Sequence, residues 1–194
     1  DDAPTLTISL KQGAAVVVDE TAGAQGPDTS APAGTLGQTK VAYSALVNDT
    51  TAFGSDGPAA ANSKTFALTI MGGDGTASGY LRSSDNAPIV LVNNGGLIEG
   101  HVNNAAGQIA FTVAVSTSGE ITLTQYVAVE HSDPNNTNEL TNGMTANVLK
   151  LDVKVTDSDA DAVTQSVDLG SVIKFNDDAP TLTISLKQGA AVVV

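Results

Sequence analysis

"LKLDVKVTDSDADAVTQSVDL", residues 149 to 169, decides the fold of this chain. Leu149, Leu151, Val153 and Val155 alternate with Lys150, Asp152, Lys154 and Thr156. Successive side chains of an extended chain point to opposite faces, so this period of two marks a half-buried strand. A short Asp-rich stretch follows, and "AVTQSVDL" (162 to 169) then starts a second strand that must run back along the first.

Working outward, the same alternation recurs. "QIAFTVAVS" (108 to 116) places Ile109, Phe111, Val113 and Val115 inward, and "EITLTQYVAVE" (120 to 130) does so with Ile121, Leu123, Val127 and Val129. "TSG" (117 to 119) between them reads as a hairpin connection. Further strands are expected at "TLTISL" (5 to 10), "AAVVV" (14 to 18), "KTFALTIM" (64 to 71), "PIVLV" (88 to 92), "LIEGHV" (97 to 102) and "SVIKF" (171 to 175). Short strands at such spacing predict an all-β, antiparallel β-sandwich. Only 40 to 49 and 136 to 143 leave room for a helical turn, and the Gly-, Ala- and Pro-rich stretch 21 to 39 reads as an inserted surface loop.

The first eighteen residues, "DDAPTLTISLKQGAAVVV", recur at 177 to 194. The expectation is one period of a tandem array and the start of the next: a linker at 1 to 4, one sandwich at 5 to 176, then a linker and the next repeat's first strand region. The second copy lacks the rest of its repeat, so residues 181 to 194 are expected to pack on their own sandwich or on a neighbour rather than leave an open edge.

Composition narrows the function. Twenty-one Asp and Glu against eight Lys and Arg give a formal net charge of −13, which argues against nucleic acid, whose phosphates need clustered cations. There are no cysteines, so disulfides and thiolate chemistry are excluded, and metal ions are the remaining staple if the domain works outside the cell. No apolar run approaches the length of a membrane span, and no membrane insertion is expected of this segment. No nucleophile, base and orienter can be assembled, so neither an enzyme nor a small-molecule substrate is expected.

The chemistry concentrates in "TDSDADA" (156 to 162), where Asp157, Asp159 and Asp161 stand two residues apart. A tight turn presses such carboxylates together, and a hard dication with six to eight oxygen ligands relieves their repulsion; calcium fits, and a solvated acidic turn is the alternative. An EF-hand is excluded, because Ala162 and Asp168 replace its Gly and bidentate Glu and the flanks alternate as strands. "GGDGTASGY" (72 to 80) half-matches the calcium-binding RTX nonapeptide, but Ala77 stands where an Asp ligand belongs, so it reads as a hairpin turn. Asp177 and Asp178, with their equivalents Asp1 and Asp2, could add ligands at the period boundary, as could Asp19 and Glu20 after the second strand; turn chemistry explains each equally well. His131 lies beside Glu130 and Asp133 but has no third nitrogen or sulfur ligand in sequence, so no zinc or acid-base role is expected of it or of His101.

The stretches "GGDGTASGY", "LIEGHV", "AGQIAFTVAVSTSGEITLTQYVAVEHSDP" and "LKLDVKVTDSDADAVTQSVDLGSVIKFNDDAP" together resemble the long tandem repeats of RTX adhesins, the giant type I secreted surface proteins of Gram-negative bacteria. The resemblance spans about residues 41 to 180. It implies an Ig-like or cadherin-like sandwich stabilised by Ca2+, with Asp157, Asp159, Asp161, Asp177 and Asp178 on calcium-binding positions. Ala160 departs from it, standing where the family usually carries Gly. It also implies an extracellular spacer at the bacterial cell surface, partnered by neighbouring repeats, that projects ligand-binding domains for adhesion and biofilm formation. A sugar- or peptide-binding adhesion module is the alternative, though the chain has no Trp for a stacking platform. If the strand at 149 to 156 runs toward the N-terminal end, the Asp-rich turn faces the preceding linker, where Asp1 and Asp2 would complete one calcium joint.

Overall fold

Among the described residues the chain forms thirteen strands: β1 (Thr5–Leu10), β2 (Val16–Asp19), β3 (Gly37–Val41), β4 (Val47–Ala52), β5 (Lys64–Ile70), β6 (Thr76–Leu81), β7 (Pro88–Asn94), β8 (Leu97–Val102), β9 (Ile109–Val115), β10 (Ile121–Gln125), β11 (Leu149–Thr156), β12 (Ala162–Val167) and β13 (Ile173–Asn176). One helical turn, α1 (Tyr43–Leu46), and a 3-10 turn at Leu169–Val172 complete the elements. The computed structural model describes residues 2–21, 25–133, 136 and 138–177. Residues 181 to 194, for which a packed strand is expected, lie outside them.

The molecule is an all-β antiparallel sandwich. One layer is the six-stranded sheet β3-β10-β9-β8-β7-β6. The other holds the three-stranded sheet β12-β11-β5 and the pair β1-β4, with β1 lying beside β12. Strand β5 packs across onto β7 and β9 and joins the layers. The inward faces close the core: Leu149, Leu151, Val153 and Val155 of β11 are fully buried, as are Ile89, Leu91, Ile98, Phe111, Val113, Ile121 and Leu123 opposite. Tyr80, Phe111 and Phe175 meet with ring centroids 5.2–6.0 Å apart. The Tyr80 hydroxyl lies 2.7 Å from the Ile173 carbonyl and 3.0 Å from that of Asn142, so the bulged edge strand β6 is tied to β13.

One pair breaks the antiparallel rule. β2 and β13 run parallel, from Val16 beside Ile173 to Asp19 beside Asn176. Both strands end at the same edge of the molecule, which brings Asp19 and Glu20 to the place where the chain reaches Asp177.

The hairpin read from 149 to 169 is longer than its sequence pattern. β11 and β12 pair from Leu151–Val167 to Thr156–Ala162, and the ladder resumes below the 3-10 turn. There Met144 N–H donates to Gly170 O, Thr141 N–H to Phe175 O and Asp177 N–H to Glu139 O, and Leu140 bridges Asn176. The helical turn expected in 136 to 143 is therefore absent from its described residues, because this backbone spends its hydrogen bonds on β13.

Other boundaries also shift. The run expected to be a strand to Glu130 ends at Gln125, while the loop read at 21 to 39 gives up its last residues to β3. Gly37 opens that strand because a Cβ there would lie 2.6 Å from Asp28 Oδ2 and 2.9 Å from Val18 Cγ1. No helix among the described residues is long and apolar enough to cross a membrane.

Candidate metal centre

The long hairpin gives the molecule a tip and a base. At about 3.3 Å per residue, the eight residues of β11 alone separate them by roughly 26 Å. The tip carries Asp157, Asp159 and Asp161, and the base carries Asp19, Glu20 and Asp177.

At the tip each of the three carboxylates offers one oxygen, and these oxygens lie within 4.8 Å of one another. The backbone holds them there. Asp157 N–H donates to Asp161 O, Ala160 N–H to Asp157 O, and Asp161 N–H to Asp157 Oδ1 at 2.8 Å. A second loop braces the turn, since Ser158 N–H donates to Gly57 O and the Ser158 hydroxyl to Asp56 O. Asp159 and Asp161 are exposed, but Asp157 is 1% exposed and its Oδ2 is buried without a hydrogen-bond partner. Burial pushes the Asp157 carboxyl above its usual range, and the Asp159 and Asp161 carboxylates push in the same direction against the Asp161 N–H. An orphaned buried oxygen with two carboxylates beside it fits a hard dication such as calcium, which neutralises the cluster and takes up the unmet lone pairs.

Ala160 makes this geometry with φ +78°, a left-handed conformation that L side chains rarely adopt. The departure seen in sequence is thus a strained residue inside the turn.

Asp2 reaches the tip end but not the cluster. Its carboxylate lies 3.3 Å from the Ser55 hydroxyl, and Gly54, at φ +68°, passes so close that a Cβ would lie 2.7 Å from the Asp2 carbonyl oxygen. The loop 53 to 58 therefore stands between the N-terminal linker and the Asp turn. Asp1, the other linker carboxylate expected at this joint, lies outside the described residues, as does Asp178, so the three Asp residues of the turn are the carboxylates gathered here.

At the base, Asp19 is satisfied locally. Thr21 N–H donates to its Oδ1 and the Asn176 side chain to its Oδ2. Burial alone would raise this carboxyl, but these hydrogen bonds prevail and hold it below its usual value. Glu20 is buried, with Oε1 accepting from Gln125 Nε2 and from Val129 N–H. It gathers with Asp177 and with His131, each offering one ligand atom within 4.8 Å of the others. Sequence spacing hides this group, since its members come from the end of β2, the loop after β10 and the end of β13. No spacing in the sequence brings them together, since the group depends on the parallel pairing of β2 with β13 and on the path of the loop after β10.

The second histidine is spoken for. His101 Nε2 lies 2.8 Å from Glu99 Oε2 and Nδ1 lies 2.9 Å from Gly107 O, a buried pair on β8 with both ring nitrogens engaged.

A family model described as Domain of unknown function (DUF5801) matches residues 15–170, a span that includes Glu20, His131 and the whole Asp turn. No curated protein and no solved structure matches the chain.

Proposed function

The chain belongs to the DUF5801 family, and on that premise we propose that it is a calcium-binding structural spacer repeat of a secreted bacterial surface adhesin. It turns nothing over. Its task is to hold ligand-binding domains of the parent protein away from the cell, in the service of adhesion and biofilm formation. The observation that carries this reading is the tip turn, where Asp157 Oδ2 is buried without a partner beside Asp159 and Asp161. Asp157, Asp159 and Asp161 would hold the ion, which supplies the positive charge that this cluster lacks.

Three further features support a length-setting role. The recurrence of residues 1 to 18 at 177 to 194 is what a repeated spacer requires. Asp2 lies at the tip end and Asp177 at the base, so the chain enters at one end of the sandwich and leaves at the other. Stacking platforms for sugars are scarce: Tyr43 packs on Phe66, Tyr80 is buried, and Tyr126 is the one strongly exposed ring among the described residues.

Thermal unfolding with calcium and with chelator tests the reading. Extracellular calcium modules bind at about 10⁻⁴ to 10⁻³ M, so 10 mM calcium should add roughly 1.4–2.7 kcal/mol and raise the midpoint by about 3–10 °C. Asp159→Asn should abolish most of that gain. An equal midpoint with calcium and with chelator overturns the proposal.

A further inference from the structure

His131 is the least satisfied polar side chain at the base. The side chain is 7% exposed, and neither Nδ1 nor Nε2 has a hydrogen-bond partner. Glu20 Oε1 lies 3.7 Å from Nε2, an ion-pair distance beyond hydrogen-bond reach. Leaving a buried polar group unmet is costly, so an imidazole placed this way calls for a partner.

The partner's chemistry can be read from what surrounds the ring. Glu20 and Asp177 each present a carboxylate oxygen to it. Glu139 stands nearby, with its oxygens accepting from the Ser132 hydroxyl and from Asp133 N–H, and Glu20 Oε1 in turn accepts from Gln125 Nε2 and Val129 N–H while facing the ring. One neutral nitrogen and two carboxylates make a poor calcium site, because calcium takes six to eight oxygens. They make a good one for borderline divalent ions, which favour imidazole and take three protein ligands with a fourth position left to water. Spacing agrees: two ligands bound tetrahedrally at about 2.0–2.1 Å lie roughly 3.3–3.4 Å apart, within a few tenths of an ångström of the Glu20–His131 separation.

We propose that Glu20, His131 and Asp177 form a second metal site, which takes a first-row transition ion of the Zn2+ class. It is chemically distinct from the all-carboxylate tip, and it stands whether or not the tip binds calcium. The acidic surroundings agree with it, since Glu20 and Asp177 each bring a carboxylate oxygen to the ring. Those charges attract a cation of either kind, a proton or a metal. The structural consequence is a clip on the chain's exit. Asp177 is the first residue of the recurring eighteen, so a metal bound here anchors the linker to the ends of β2 and β13.

The test uses the full 194-residue chain, untagged, in saturating calcium so that the tip cannot compete. Zn2+ is titrated by calorimetry, and Co2+ serves as a visible-absorption probe of a nitrogen-containing site. The account expects one equivalent, with affinity falling at least about tenfold in His131→Gln and unchanged in Asp159→Asn. Long-range 1H–15N NMR of the unaltered chain removes any dependence on that variant's folding. Zn2+ should shift the His131 ring nitrogens and leave those of His101 in place. No saturable binding, equal affinity in a folded His131→Gln protein, or an unmoved His131 would each overturn the site and leave an imidazolium–carboxylate pair in its stead.

Discussion

Ala160 shows how much a single residue can carry. Its left-handed φ of +78° costs an L residue roughly 1–2 kcal/mol, of which about 0.4–1 kcal/mol is returned in any change to Gly through the unfolded chain's greater freedom. Ala160→Gly should therefore stabilise the protein by roughly 0.5–1 kcal/mol in a urea titration. A loss of stability would mean that the turn does not hold this conformation in solution. Asp157 makes a prediction of opposite flavour. A carboxyl whose folded value is raised favours folding below its unfolded value, near 3.9, and that contribution is lost as pH rises through the folded value. Asp157→Asn keeps the Oδ1 acceptor for Asp161 N–H and removes the charge. In chelator at pH 7 it should melt above the unaltered protein, with the difference shrinking toward pH 4, while its gain from calcium disappears. A variant that melts lower at pH 7 without calcium would contradict the strained-cluster account.

At the scale of elements, the hairpin 149 to 169 was legible because β11 buries one face and so writes a period of two into the sequence, and β12 returns along it. β1 and β11 fall on the residues that their alternation marks, and β8 falls on its expected run although it is buried on both faces. β3, β4 and β6 were not legible, for reasons visible in their residues. β4 reads "VNDTTA", with Asn and Asp where strand preference is weak, and it is held by pairing with β1. β6 reads "TASGYL"; its Gly79 and register shift break the alternation, and Tyr80 anchors it instead. The site divides in the same way. The tip is contiguous in sequence and could be read there, whereas the base needs three distant segments that only the parallel β2–β13 pair brings together. That pair rests on Phe175, which is fully buried against Tyr80 and Phe111. Phe175→Ala should cost roughly 3–5 kcal/mol in calcium-saturated unfolding, against under about 0.5 kcal/mol for the exposed Tyr126→Ala. Similar costs for the two would show that the base is not part of the core.

Across the whole molecule, tip and base assign a direction to the chain. If the recurrence of residues 1 to 18 at 177 to 194 marks the period of a tandem array, as proposed, Asp177 of one repeat would be the counterpart of Asp1 in the next. In a tandem array the linker would thus leave a base that holds Glu20 and His131, and enter a tip that holds Asp157, Asp159 and Asp161. Pro4, buried where the linker meets the sandwich, limits the freedom of that step. With a formal charge of −13 per chain, successive repeats of such an array would repel, and cations at the joint would exchange this repulsion for a fixed angle. The spacer account thus stands or falls on whether calcium stiffens the joint. Small-angle scattering of two consecutive repeats measures this directly, in calcium and then in chelator, with circular dichroism confirming that both repeats stay folded. The account predicts a maximum dimension near two repeat lengths in calcium and a clear loss of it in chelator or in Asp159→Ala; equal dimensions in all three would contradict it.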